Sequence, residues 1–547
     1  MPTCAEVLAR TLKAGGVTTV FGLPGGEILD FVEAARRVGI DFVLTRHEAT
    51  ASFMADATGQ MLRRPGVCVA TLGPGAVNMT LGVANAFLDR SPLLAITAAT
   101  STAARPYATH QQLDLNAVYR PFTKAALTLD GEDTARKVRR AFRTALEPRM
   151  GPVHIALPSD VARVADRQIS DPADEPLEPA PVPSPSADAI GQMIARLREA
   201  SRPVVLLGLD LVPDDANAVR RFVEHLGAPV FVTPKAKGML SEDHPQFFGV
   251  CAGVSGDGAI VDFLTSADLL VGVGFEPVES DKLWHQTMPL VNIGPLSIVA
   301  GRFRPALELE GAVGESLVVL SDADLGGVEW TDGELTTFRR RLASILEPAA
   351  SGEAGLSPSA VVRRLRDIMP RKTIATTDVG SVKFVTSQAW TTYEPMTFLE
   401  SNGLSSMSYG LPAAMAAALV HSGRPVLCTI GDGGFGMTLG DVETCVRLQL
   451  PIVVVVFNDA SLSLIQEAQS RRGLTERGVR YGEADFAAAA AALGAWGRHV
   501  TTLDGLEAAV REGRRTGGPV VIDVPIDPAE YRKHTAPPSV PDVGNGA

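Results

Sequence analysis

The 547-residue chain has no run of 18 apolar residues and no basic-then-apolar stretch at its start. Neither a membrane span nor a secretory signal is therefore expected. Cysteine is scarce: Cys4, Cys68, Cys251, Cys428 and Cys445 are scattered, with no Cys-x-x-Cys pair. Four of them lie in or beside apolar runs, which reads as reduced core residues. Positive charge is also short. Fifty Lys and Arg against 62 Asp and Glu leave a net charge of -12, and no basic stripe stands out. That argues against a nucleic-acid partner. What remains is 46% hydrophobic and 20% charged, ordinary for a soluble globular protein, here expected in the cytoplasm. The length suffices for about three or four domains.

Residues 1–165 alternate strand-like and helix-like runs, with strands expected at Thr18–Phe21, Val67–Thr71, Leu93–Thr97 and His154–Leu157 and a helix over Ala49–Leu62. A stretch dense in Pro and acid, from Ser170 to Ser186, reads as an extended linker. A second unit, 187–325, carries expected strands at Val204–Leu207, Val230–Val232 and Leu269–Val273. A charged helical joint is expected over Thr331–Leu346, ending in the small residues of Ala349–Gly355. The third unit covers 357–532, and the Pro/Gly-rich tail His534–Ala547 is expected to be disordered. The fold class that follows is α/β, with three doubly wound domains and mainly parallel sheets.

The densest signal is Gly431-Asp432-Gly433, followed after 24 residues by Asn458. Val426–Ile430 and Ile452–Phe457 are short apolar runs rich in β-branched residues, hence buried strands. Between them Thr438–Leu450 has near-helical apolar spacing, and Pro451 ends it. Strand, helix, strand is a right-handed crossover with parallel strands. Asp432 and Asn458 then sit beyond the carboxyl ends of two neighbouring strands, where open α/β sheets bind ligands. One carboxylate and one amide oxygen suit Mg²⁺, which completes its octahedron with phosphate and water. Gly431, Gly433 and Gly434 let backbone N–H groups approach a phosphate. A lone Gly-Asp-Gly would be a plain turn with Asp432 as helix cap; the frame around it favours a metal-bridged diphosphate.

Three further motifs stand in the first unit. Glu48 opens a helix of mostly small and apolar residues, where a carboxyl with little polar company should have a raised pKa and exchange protons near neutrality. It could equally be a helix-start carboxylate, or pair with Arg46. Thr71-Leu72-Gly73-Pro74-Gly75-Ala76-Val77-Asn78 follows a strand, and its glycines permit a tight turn and close ligand approach, or only a capped loop. Phe21-Gly22-Leu23-Pro24-Gly25-Gly26 is a second such turn, on its own a structural one.

These motifs, with Asp378-Val379-Gly380 and Ser408–Ala414 (SYGLPAA), occur in an order that resembles the thiamine-diphosphate enzymes of the acetolactate synthase type. The resemblance covers nearly the whole chain. It implies a pyrimidine-binding domain (1–165), a central domain (187–325) and a diphosphate-binding domain (357–532). It implies Mg²⁺ held by Asp432, Asn458 and the carbonyl of Ala460, with diphosphate held at Gly433 and Gly434; Gly380 and Ser381 would also bind the coenzyme. Glu48 would hydrogen-bond N1′ of the aminopyrimidine, near Gly25, Pro74 and Asn78. Met407 would be the apolar wedge that bends the coenzyme. The carbonyl near Ser405 would accept from the 4′-amino group, although family members have Gly there. Each site would form between two chains, so a homo-oligomer, a dimer or a dimer of dimers, is implied.

The chain departs from the pattern in places. Gly249-Val250-Cys251-Ala252-Gly253 and Gly274-Phe275-Glu276-Pro277-Val278 stand where FAD-binding members carry GMHG-like and GARFDDR-like stretches, which argues against bound FAD. His110-Gln111-Gln112 and Lys383 are similar to carboxyethylarginine synthase, whose donor is a phosphorylated triose. His110 and Gln111 would then move protons and Lys383 would hold an anionic group, or they are a structural His and a solvated Lys. Ser463 and Leu464 would face the donor. The expected activity is cleavage or decarboxylation of a 2-oxo acid or related small molecule, with transfer of the acyl-anion equivalent to an acceptor. A phosphorylated sugar donor is the alternative within the class. An FAD or NAD oxidoreductase is the alternative outside it, weakened because no intact Gly-x-Gly-x-x-Gly follows a strand with an acid about 20 residues on.

Overall fold

The computed structural model describes residues 1–167, 175–251, 253–279, 288–299, 304–349 and 355–535. The linker, small-residue and tail expectations fall in part on 170–174, 350–354 and 536–547, outside the described residues, as does Ala252. Three six-stranded sheets follow one another along the chain. The first holds β1 (Thr19–Leu23), β2 (Asp41–Leu44), β3 (Gly66–Ala70), β4 (Leu93–Ala99), β5 (Ala125–Thr128) and β6 (Pro152–Pro158) in the order 2-1-3-4-6-5. The second holds β7 (Pro203–Leu207), β8 (Val230–Val232), β9 (Phe247–Val250), β10 (Leu269–Val273), β11 (Leu290–Gly294) and β12 (Leu307–Glu310) in the order 12-11-10-7-8-9. The third holds β13 (Ile374–Thr377), β14 (Phe398–Leu399), β15 (Val426–Gly431), β16 (Ile452–Asn458), β17 (Trp496–His499) and β18 (Val520–Pro525) in the order 14-13-15-16-18-17. Every strand pair is parallel.

Parallel strands need crossovers that cover both faces, so central strands are buried throughout and read as unbroken apolar runs. β3, β4 and β6 show this, with every residue buried. Strands at or beside a sheet edge are less legible. β2 (DFVL) and β17 (WGRH) are short, half-exposed and partly polar, and the apolar pattern does not mark them. Three elements differ from expectation. The helix placed at Thr438–Leu450 starts earlier, at Asp432, breaks into a 3-10 turn at Leu439–Asp441 and resumes over Val442–Arg447. Gly440 and Asp441 interrupt the apolar spacing there. Second, Glu48 itself begins the helix over Glu48–Leu62. Third, His534 is not part of a loose tail: it is buried, with Nδ1 2.7 Å from Ser255 Oγ and Nε2 3.0 Å from Ser359 Oγ.

The first and third sheets share one core. The helix Glu48–Leu62 packs along Gly410–Val420, and both are built largely of alanine and other small residues. Small side chains let the two axes approach closely, so each helix is buried on nearly all sides. Phe53 meets Tyr409 edge-to-face at 5.6 Å between centroids. All five cysteines are buried and free, and no described helix is long and apolar enough to cross a membrane.

The seat of the Glu48 helix on its sheet is tight at Gly66, where an added Cβ would lie 1.9 Å from the Ala55 carbonyl oxygen. Gly66→Ala is expected to cost about 1–3 kcal/mol through forced backbone shifts. Urea denaturation measures this; an unchanged midpoint would contradict the packing.

Candidate active site

β15 and β16 pair in parallel with Gly431 opposite Phe457, so Asp432 and Asn458 come level one residue beyond. Asp432 is 6% exposed. Its Oδ1 accepts the Gly433 N–H at 2.6 Å, while Oδ2 is buried without a hydrogen-bond partner. Burial pushes the carboxyl's pKa up, and the N–H of Gly433 is the first of several that pull it back. Asn458 is held by its amide nitrogen, which donates to the Ala484 carbonyl at 3.1 Å and to Asp523 Oδ1 at 3.0 Å. Its Oδ1 keeps only a long contact, 3.4 Å, from the Ala460 N–H. Ala460 adopts φ +52°, and its carbonyl accepts the Tyr481 N–H at 2.8 Å, which leaves one lone pair. A carboxylate, an amide and a carbonyl oxygen with spare capacity are the kinds of group that could hold a hard divalent cation. Among the described residues no three His, Cys, Asp or Glu side chains gather as an alternative metal site.

A cavity of about 210 Å³ opens beside Asp432. Three helices start at its wall: Ser381–Ala389, Asp432–Thr438 and Ser463–Arg471. Helix N-termini present unpaired N–H groups and partial positive charge, and so favour an anion. Ser381 adds a buried Oγ without a partner. Gly380, at φ +126°, has open space where a Cβ would stand. Met407 lines the cavity with its Cε near Gly433, 3.1 Å from where a Cβ would be. Ser405 also lines it, at φ +53°. A glycine takes that conformation without strain, and here the serine is steadied by its Oγ donating to the Asn402 carbonyl at 2.8 Å. Unpartnered polar atoms, clustered N–H groups and one apolar prop fit a diphosphate-bearing coenzyme.

Asp459 and Tyr531 also line this cavity and Asp378 packs against Gly434 in its wall; the sequence marks Asp378 only as part of a motif, with no role of its own. Asp378 follows β13 as Asp432 follows β15. It is fully buried and accepts the N–H groups of Ser408 and Gly410, each at 3.0 Å. A Cβ on Gly434 would lie 1.8 Å from its Oδ2, so only glycine fits there. Burial raises the Asp378 pKa to about 6. Asp459 lines the cavity, accepts from Ser463 Oγ at 2.5 Å, and is pushed up to about 7 by burial, with the Asp432 charge adding. The acid of Asp-Val-Gly at a strand end was the available signal for Asp378; nothing in the local pattern marks Tyr531.

Ser463 and Leu464 line the cavity, as do Gly380, Ser381, Gly433 and Gly434. Asn458 and Ala460 instead line a neighbouring cleft of about 780 Å³, with Asp459 in both walls. Lys383 does not reach the cavity. It is 5% exposed, pairs with Glu400 at 3.1 Å, and donates to the Ser401 carbonyl at 2.9 Å and Asn402 Oδ1 at 3.0 Å. These contacts hold the ammonium group against residues 400–402, so it is neither solvated nor in the wall of the Asp432 cavity.

The first unit's residues gather separately. Glu48 is 5% exposed, and its Oε2 accepts from Asn78 Nδ2 at 3.0 Å. Asn78 is the polar company it has from outside its own helix. Arg46 pairs with Glu443 at 2.9 Å, not with Glu48. Gly73 at φ +63° turns the chain into the short helix Pro74–Asn78, and a Cβ on Gly75 would lie 3.0 Å from Glu48 Oε1. Gly25 packs on Thr71, where a Cβ would be 2.5 Å from Oγ1. His110 and Gln111 are exposed; Gln111 leans on Gly73 and lines a different cavity, of about 320 Å³. Glu48, Pro74, Asn78, His110 and Gln111 are not in the wall of the Asp432 cavity.

Because Asp378 titrates near 6 when folded and near 4 when unfolded, its contribution to stability falls as pH rises between those values, by about 3 kcal/mol. Below both values, and above both, the contribution is flat. Asp378→Asn is expected to remove this segment of the pH–stability curve. Denaturation of both proteins at pH 4 to 7 checks it; parallel curves would contradict the burial argument.

Three family models of the thiamine pyrophosphate enzymes match the chain: the N-terminal TPP binding domain over residues 2–118, the central domain over 190–320 and the C-terminal TPP binding domain over 378–524. The chain is 32% identical to an acetolactate synthase of Bacillus subtilis (strain 168), over 96% of its own length and 93% of the relative's. It is 30% identical to a catabolic acetolactate synthase of Raoultella terrigena, over 96% and 95%. It is also 30% identical to a probable 2-ketoarginine decarboxylase of Pseudomonas aeruginosa, over 95% and 94%. The wall of the cavity at the ends of β13, β15 and β16, Tyr531 apart, lies within the segment matched by the C-terminal model, and Glu48 and Asn78 within that matched by the N-terminal one. The chain therefore belongs to the thiamine-pyrophosphate-dependent enzymes of the acetolactate synthase type, with transferase- or lyase-type chemistry.

Proposed function

We propose that this enzyme uses thiamine diphosphate with Mg²⁺ to decarboxylate a 2-oxo acid and to pass the acyl-anion equivalent to an acceptor. One observation carries the reading: a buried, unpartnered carboxylate oxygen of Asp432 stands at a cavity on which three helix N-termini converge. Asp432, Asn458 Oδ1 and the Ala460 carbonyl would hold the metal. The N–H groups at Gly380, Ser381, Gly433 and Gly434 would hold the diphosphate. When bound, the coenzyme supplies the nucleophilic carbon and the electron sink. Glu48, oriented by Asn78, would hold a proton at N1′, with Gly25 and Pro74 shaping the pocket around the ring. Met407 and Gly433 would hold the bend. Ser463 and Leu464 would face the donor. The cavity wall is otherwise mainly apolar on that side, with Leu462, Ile465 and Tyr531, which suits a small 2-oxo acid once water is displaced. His110 and Gln111 remain proposed proton-handling residues.

The same geometry supports assembly. Glu48 and the Asp432 cavity of one chain do not share a wall, and exposed apolar side chains flank both: Val77 and Leu81 near the first, Met437 near the second. A second copy would bring the two halves together, as a dimer or a dimer of dimers. The internal pairing of Lys383 removes the main support for a phosphorylated sugar donor. No flavin is part of this proposal; at the Gly274–Val278 stretch Glu276 is tied to Arg90 at 3.0 Å and Arg149 at 3.2 Å.

Asp432→Ala is expected to lose thiamine diphosphate binding at any Mg²⁺ concentration in a calorimetric titration; tight residual binding would sink the ligand assignment. Glu48→Gln should retain the coenzyme and lose CO₂ release, by about 10²-fold or more, in a screen of 2-oxo acids with product detection by mass spectrometry. Undiminished turnover would remove its proton role.

A further inference from the structure

The loop that carries Ser405 and Met407 is fixed at its base from all three units. Residues 400–403 form a stalk. From the first unit, the Asp89 carboxylate accepts the Gly403 N–H at 2.6 Å and the Asn402 N–H at 3.3 Å. Asn85 Oδ1 accepts from Ser401 Oγ at 2.5 Å. From the second unit, Lys235 Nζ pairs with Asp89 Oδ2 at 2.7 Å and donates to the Glu400 carbonyl at 2.6 Å. From the third, Lys383 holds Glu400, Ser401 and Asn402. The Asp89 and Lys235 side chains are 1% and 7% exposed. Gly403 allows the contact, since a Cβ there would sit 2.7 Å from Leu88 Cβ. The stalk in turn sets the loop: Ser401 Oγ accepts the Ser406 N–H at 2.9 Å, next to Met407.

We propose that Asp89 and Lys235, in different units and outside the cavity wall, are positioning residues for the Met407 wedge: their ion pair holds the stalk, and the stalk fixes the wedge against Gly433. The inference rests on the coenzyme reading above. A prop that must bend a ligand works only if it cannot yield, so loosening its base taxes binding of the coenzyme itself. The 2-oxo acid, which would meet Ser463 and Leu464 on another loop, is affected little. The docking of the central unit thereby reaches the coenzyme site through Lys235.

The test uses the full-length protein. Hydrogen exchange on the unmutated chain should show the amides of Asn402 and Gly403 as protected as those of β15; exchange at open-loop rates overturns the proposal without any variant. Lys235→Met is then expected to speed exchange in the peptide covering 400–407 and to raise the thiamine diphosphate Kd about tenfold. KM for the 2-oxo acid should stay within about twofold at saturating coenzyme, and Lys235→Arg should restore most of the affinity. A folded Lys235→Met with an unchanged coenzyme Kd overturns the proposal. If the unmutated protein binds no thiamine diphosphate with Mg²⁺, the coenzyme reading fails instead, so the two failures are distinguishable.

Discussion

The parallel register of β15 on β16 is the constraint from which the rest follows. Gly431 opposite Phe457 leaves no choice about where Asp432 and Asn458 emerge. The register is held by runs in which almost every residue is buried and most are β-branched, so a one-residue slip would drive the pleat out of its packing on both faces. β13 repeats the device on the other side, ending in Asp378, whose carboxylate is spent on backbone N–H groups rather than on a ligand. Two acids at adjacent strand ends thus do different work because one is fully partnered and the other is not. An unpaired buried carboxylate oxygen costs about 1–3 kcal/mol or more, a cost that a bound cation would reverse.

The second constraint is the small-residue seam between Glu48–Leu62 and Gly410–Val420. It fastens the first unit to the third and fixes where Glu48 lies. With its helix buried on nearly every side, the carboxylate has one polar neighbour from another element, Asn78. The helix Pro74–Asn78 that delivers this amide exists because Gly73 takes a left-handed turn and Pro74 suits a first helical position.

Much of this was legible in the residues. Buried central strands such as β8 and β10 announce themselves, because a parallel sheet covered on both faces demands an unbroken apolar run. The Asp432 and Asn458 pairing was legible for the same reason, and so was the chain's family. The short outer strands β2 and β17 were not, since half-exposed residues carry no single period. Lys383 looks free in the sequence because a lone cation stands beside a ligand motif; only the fold shows that Glu400, Ser401 and Asn402 surround its ammonium group. Tyr531 reaches the cavity from an element distant in the chain, and local patterns cannot report such neighbours.

The meeting of three units on residues 400–403 makes the architecture less modular than its three tidy sheets suggest. A central unit borrowed from another protein could fold well and still fail, unless it offered an ammonium group at the place of Lys235. Recombination between relatives would then succeed or fail on one side chain at a seam, rather than on how well each piece folds by itself.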